Sequence, residues 1–89
     1  MKGKTESGFE YEVNKKKLQD VRFLMAYKKA AQSNELSEAV FLIPMILGDE
    51  QADALFTHCE KDGISDVEDV WAEFEQIVSA LADNTETKN

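Results

Sequence analysis

His58 and Cys59 are the one adjacent pair in the sequence that suggests a nucleophile beside a base. A thiol nucleophile needs its base within hydrogen-bond reach of the sulfur. Neighbours on a helix project about 100° apart and do not face each other. Cys59 also belongs to an apolar repeat, Ala52, Leu55, Phe56 and Cys59, spaced i, i+3, i+4, i+7. The pair therefore reads as a core thiol beside an exposed imidazole. His58 and Asp62, four apart, would hold a metal only weakly, because a structural site needs about four ligands. The 18 carboxylates do acid–base work only where burial or a cleft perturbs them. Most of them fall on solvent-facing helix positions. No phosphate-binding glycine loop, EF-hand loop or G-x-S-x-G elbow occurs. Lys15, Lys16 and Lys17 would suit a phosphate or an acidic protein surface, but beside Glu10, Glu12 and Asp20 they read as solvated charge. No catalytic, cofactor-binding or metal-binding residue is assigned, and a non-enzyme is expected.

The elements that carry these residues must come from one short chain. Eighty-nine residues make one domain with a modest core. Apolar residues at 43% are enough for that core and exceed what a disordered chain carries. The longest apolar run, Ala39 to Leu47, is nine residues and contains Pro44, against the ~20 needed to span a bilayer. One cysteine makes no internal disulfide, so packing alone, or packing with oligomerisation, holds the chain. Met1 to Glu12 is polar and lacks the pattern of a secretory signal, which predicts a cytoplasmic protein. Charge is split: residues 1–32 carry net +4 and residues 33–89 net −12, for a total of −8. Nucleic acid repels such a chain unless the basic end acts alone. The basic end of one copy would also suit the acidic part of another copy or of a partner.

The fold expected is mostly α: a bundle of about four helices with a short N-terminal strand or hairpin. Residues 1–13 form the strand lead, 14–82 the bundle and 83–89 a frayed tail. Phe9, Tyr11 and Val13 alternate with Glu10 and Glu12, which predicts a strand, with Ser7-Gly8 as a hairpin turn. Asn14 caps the first helix, but three lysines in its opening turn oppose the dipole, so the start slips toward Leu18. Leu18, Val21, Leu24, Met25 and Ala31 make one helical stripe; Phe23 and Tyr27 make a second. A helix apolar on two faces is either central or shared with a partner. Ser33 or Asn34 opens a buried helix that Pro44 kinks or breaks, and Gly48 stops it. Asp49 caps a third helix that ends at Lys61-Asp62-Gly63. Ser65 and Glu68 spell a capping box. Val67, Val70, Trp71, Phe74, Ile77, Val78 and Leu81 then repeat over four turns, with Trp71 and Phe74 as core anchors. Asp66, Asp69, Glu73, Gln76 and Asp83 face the other way. Exposed apolar area for a partner is expected from the strand edge at Phe9, Tyr11 and Val13, and from Phe23 and Tyr27.

Several stretches, taken in order, carry a family likeness. Lys4-Thr5-Glu6-Ser7-Gly8-Phe9-Glu10-Tyr11-Glu12-Val13 opens it. Ile46-Leu47-Gly48-Asp49-Glu50-Gln51 comes at the end of a helix. Glu60-Lys61-Asp62-Gly63 turns into Val67-Glu68-Asp69-Val70-Trp71-Ala72-Glu73-Phe74. In this order the chain resembles the small tail assembly chaperones of long-tailed bacteriophages and prophages, over roughly residues 4 to 82. Lysines 15 to 17 and Pro44 depart from that pattern, which has acids after the first strand and an unbroken helix.

The resemblance implies a helper that coats the long, aggregation-prone tape measure protein while tail tube protein polymerises around it. It implies a protein of the host bacterial cytoplasm, absent from the mature virion, with no cofactor, no nucleic acid and no membrane among its partners. It also implies a longer frameshifted product diverging after Leu81. Self-association is a further expectation. The competing reading is a small acidic regulator or nucleic-acid mimic that inhibits a DNA-binding partner, which requires carboxylates spaced like phosphates along one face.

Overall fold

The computed structural model describes residues 1–33 and 35–85. It is a small, mostly helical bundle with an N-terminal β-hairpin, as the periodicities predict. In chain order come β1 (Lys2–Lys4), β2 (Glu10–Glu12), a 3-10 turn (Lys15–Gln19), α1 (Val21–Ser33), α2 (Leu36–Ala39), α3 (Leu42–Leu47), α4 (Asp49–His58), β3 (Glu60–Lys61), β4 (Ile64–Ser65) and α5 (Val67–Thr85). Asn34, the alternative opener of the second helix, and the last four residues of the expected frayed tail lie outside the described residues. The last helix itself runs on to Thr85 rather than ending near residue 82.

β1 and β2 pair antiparallel with Gly3 opposite Tyr11. Gly8, at φ +100°, closes the loop, and its N–H donates to Thr5 O at 3.0 Å. A glycine at positive φ is a common way for short hairpin loops to close. The alternation holds: Phe9, Tyr11 and Val13 are buried and Glu10 and Glu12 exposed. The Tyr11 ring lies over Gly3, where a Cβ would collide with it. A lone hairpin is marginal in water, and three side chains fasten this one to the helices. Glu6 N–H donates to Gln76 Oε1 at 2.9 Å. Ser7 Oγ and His58 Nε2 meet at 2.8 Å. Gln51 takes both backbone groups of Glu12, accepting at 2.7 Å and donating at 2.8 Å. Gln51 thus fills at Glu12 the place a further strand would take.

Asn14 does cap, accepting from Lys16 N–H at 2.9 Å, but what it caps is the 3-10 turn. The three lysines are spent there. The α-helix starts later still than Leu18, at Val21, where Asp20 Oδ1 accepts from Arg22 N–H at 2.8 Å. A carboxylate, not an ammonium, thereby meets the positive end of α1.

Pro44 breaks its helix, and the break falls upstream. Proline has no N–H for the carbonyl four residues back, and its ring crowds that carbonyl. That residue is Val40, whose oxygen instead accepts from Ile43 N–H at 3.1 Å. The chain turns between α2 and α3, and Phe41 swings out to 74% exposure, against the expectation of a helix buried on all sides. Gly48 stops α3 as predicted, its N–H donating to Pro44 O at 2.9 Å. Asp49 does not cap α4; it is that helix's first residue, and no side chain caps it.

Two further expectations need correction. The third helix stops at His58, not at Gly63. Asp62 and Gly63, at φ +54° and +80°, form the two-residue turn of a second hairpin, β3–β4. Asp-Gly with both residues at positive φ is the favoured hairpin turn because its twist matches the strands. The cap of α5 falls on Asp66 rather than on Ser65. Asp66 Oδ1 accepts from Glu68 N–H at 2.7 Å, while Ser65 Oγ donates to Phe56 O at 2.8 Å and ties β4 to α4. The core joins Val70, Phe74, Ile77 and Leu81 of α5 with Leu42, Ile43, Ile46 and Leu47 of α3, Leu55 of α4, Phe23 of α1 and the inward face of the hairpin.

Candidate functional site

α1 carries two apolar stripes, and the bundle uses one. Phe23 and Ala30 are buried, whereas Val21, Leu24 and Met25 stand in solvent, Met25 at 69%. At the margin between the stripes is Tyr27. Its ring stacks on Phe23 with centroids 5.7 Å apart and planes 29° apart, and it remains 41% exposed. The buried ring of Phe23 therefore holds an exposed ring in place.

Tyr27 forms one wall of an open groove of about 290 Å³ between α1, α2 and α5. Ala30, Ala31 and Ala39, having only methyl side chains, give it depth; Leu36 and Leu42 line it from α2 and α3. Trp71 and Glu75 come from α5, one turn apart, and the indole N–H donates to Glu75 Oε2 at 2.9 Å. That bond satisfies the polar end of the indole and leaves its ring as apolar wall. A second hollow of about 220 Å³ shares Tyr27, Trp71 and Glu75 and continues past Phe74, Val78 and Ser79. Glu35 and Glu75 are the acids among the lining residues. The chemistry on offer is recognition: an apolar trough with two acids suits side chains projecting from a partner helix.

Of the residues expected to meet a partner, Phe9, Tyr11, Val13 and Phe23 are each buried in the core. The first three are turned inward because the hairpin packs its aromatic face onto the helices. They do not present docking surface, and the outer edge of β2 is occupied by Gln51 at Glu12. Tyr27 is the member of the set that reaches the surface, and the structure brings it together with Phe23 but not with the hairpin. Trp71, read as a core anchor with Phe74, is only half-buried and belongs to the groove. Its signal was available: an indole with a glutamate four residues on has a surface partner for its N–H. Leu36 carried no such signal.

Cys59 is buried and His58 exposed, as read from their spacing. The imidazole serves the hairpin, bonding Ser7 and lying 5.4 Å, centroid to centroid, from the Phe9 ring. Burial pushes the Cys59 thiol upward, and the carboxylates of Glu73 and Asp69 add to this while Lys61 opposes it. Burial likewise raises Tyr11. Glu73 Oε1 is itself buried without a hydrogen-bond partner. Iodoacetamide at about pH 8 is expected to alkylate the native thiol at least about tenfold more slowly than the urea-unfolded one, since the thiolate is the reactive form. Equal rates would show the thiol to be open. Both raised acids keep their protons longer in the folded state than in the unfolded one. Their effect on stability is therefore absent at neutral pH, and stability falls as pH climbs past the ordinary thiol value of 9.0.

Among the described residues no group of three or more His, Cys, Asp or Glu is placed to hold a metal ion. Among them, too, no helix is long and apolar enough to cross a membrane. No family model, curated protein or solved structure matches the chain.

Proposed function

We propose that this protein is a non-enzymatic assembly chaperone that holds a helical, aggregation-prone client in the Tyr27–Trp71 groove. The client that the sequence resemblance suggests is a phage tape measure protein, kept soluble while tail tube protein assembles around it. The chaperone would act in the host bacterial cytoplasm and be left out of the finished virion. The observation that carries the reading is apolar surface held open by fixed geometry. An exposed tyrosine is anchored by a buried phenylalanine, and an indole has its polar end already satisfied, so both rings offer rigid apolar area. The net charge of −8 would keep a complex with a greasy client in solution.

Co-expression with the tape measure protein encoded in the same genome tests this. The wild-type chain is expected to move that protein into the soluble fraction. Tyr27→Glu with Leu36→Glu places charge in the trough and is expected to weaken binding by about 30-fold, the effect of losing one hot spot of about 2 kcal/mol. Circular dichroism checks that the variant still folds. An insoluble client in the presence of wild-type chain, or full rescue by the groove variant, would overturn the proposal.

A further inference from the structure

The groove carries charge as well as apolar wall, and the charge narrows what it accepts. Glu35 and Glu75 are exposed acids on its lining, and among the described residues no lysine, arginine or histidine lines either hollow. Among the same residues neither carboxylate is in an ion pair. Tyr27, Trp71 and Glu75 line both hollows and so mark where the two meet. The bond from the indole N–H to Glu75 Oε2, at 2.9 Å, holds that carboxylate beside the Trp71 ring. It engages one oxygen and leaves Oε1 for an incoming donor. Glu35, just before α2, adds a second negative charge to the first hollow.

An aliphatic occupant would suit the walls but strip water from two carboxylates and return no partner, which is costly. An acidic occupant would add like charge. An arginine meets both demands. Its stem lies along apolar wall while its head stays with the charge. The planar guanidinium stacks on aromatic rings and pairs with carboxylates. Lysine brings the charge without the flat face. We infer that the groove selects a helical partner segment carrying an arginine between two apolar residues. The arginine seats where Tyr27, Trp71 and Glu75 meet. One apolar neighbour fills the hollow walled by Leu36 and Leu42, and the other fills the hollow walled by Phe74 and Val78. Trp71, Glu75 and Val78 follow one another by about a turn of α5, so the three subsites are spaced by about a turn as well. On the partner helix that spacing is i, i+4, i+7. The inference rests on the reading of the groove as the client site and names what that site recognises.

Synthetic peptides titrated into the full chain test it. Each is an alanine- and glutamine-based helix of about 20 residues, long enough to hold helical structure, with leucines at i and i+7 and neither tryptophan nor tyrosine. Trp71, the one tryptophan of the chain, reports binding by its emission. The first peptide has arginine at i+4. The second has glutamine there, and the third has glutamine there with the arginine moved to the opposite face, so that its net charge equals the first. At about 0.15 M salt, where distant charges are screened, the first is expected to bind at least about tenfold more tightly than either of the others. Glu75→Gln keeps an oxygen for the indole N–H and removes the charge. It should bring the first peptide down to the level of the second and leave the second unchanged. Equal binding by the first and third peptides would show attraction to the net charge alone and overturn the inference. So would a first peptide that fails to exceed the second, whether both bind or neither does, or one whose advantage survives Glu75→Gln. Rescue of the client in co-expression is read separately, so the proposed function stands or falls by its own test.

Discussion

Replacing Phe74 by alanine is expected to cost about 3–5 kcal/mol, the range for truncating a buried aromatic ring. Phe74 is 0% exposed, near the middle of α5, and belongs to the buried core cluster. The loss combines the transfer term of the ring with a cavity that rigid neighbours fill only in part. A domain of this size has roughly 5–10 kcal/mol in total, so the variant should lose about a third of it or more. Its melting temperature should fall by upward of about 12 °C. Urea unfolding followed by Trp71 fluorescence checks this, and adds a second readout. The indole packs 5.3 Å from the Phe74 ring, centroid to centroid. Loss of that ring should let water reach Trp71 and shift its native emission to the red before unfolding begins. Phe41→Ser is the paired control. Phe41 is 74% exposed, and a surface change of this kind should stay within about 0.5 kcal/mol. Equal losses at the two phenylalanines would show that the α2–α3 break does not turn Phe41 outward.

That contrast also marks where the sequence stops being legible. The alternation of Phe9, Tyr11 and Val13 and the repeat of Val70, Phe74, Ile77 and Leu81 were readable because each is a local periodicity with one apolar face. α1 has two such faces, and spacing alone does not choose between them. The neighbours choose: Phe23 enters the core, and Leu24 and Met25 are left outside. Pro44 announced a break, but its steric effect acts four residues upstream, so Phe41 rather than Pro44 marks the bend. Asp62-Gly63 is a hairpin signal and also a common helix stop; the two-residue strands on either side were too short to show a period of their own. The groove was the least visible feature. Its walls come from residues 27–42 and 71–79, and no local pattern records that Tyr27 and Trp71 meet. The expected partner residues went inward for a related reason: aromatic residues in a strand are as suited to a core as to an interface, and the latches from Gln51, His58 and Gln76 decide the matter.

The joint between α3 and α4 should be the most sensitive backbone position in the chain. Gly48 sits at φ +83°, ψ +163°, a combination essentially reserved to glycine. A Cβ there would meet no atom within 4 Å. Gly48→Ala therefore isolates conformational strain from steric clash, and about 1–3 kcal/mol of stability should be lost to strain alone. The consequence should travel along a short path. Gly48 O accepts from Ala52 N–H at 2.9 Å, and Gln51 Nε2 donates to Leu47 O at 2.8 Å, so the joint orients the Gln51 side chain. Gln51 in turn holds both backbone groups of Glu12. Relief of strain by rotation at residue 48 would pull that side chain away from β2. Amide exchange at Glu12 should then accelerate by more than the loss of global stability explains, while Val13, whose N–H donates to Met1 O at 2.8 Å within the hairpin, should track global stability alone. Gln51→Ala, which deletes the latch and leaves the backbone at residue 48 untouched, should reproduce the Glu12 effect with a smaller loss of stability. Unchanged exchange at Glu12 in both variants would mean that the hairpin is held by its buried aromatic face and that the Gln51 bonds add little to it.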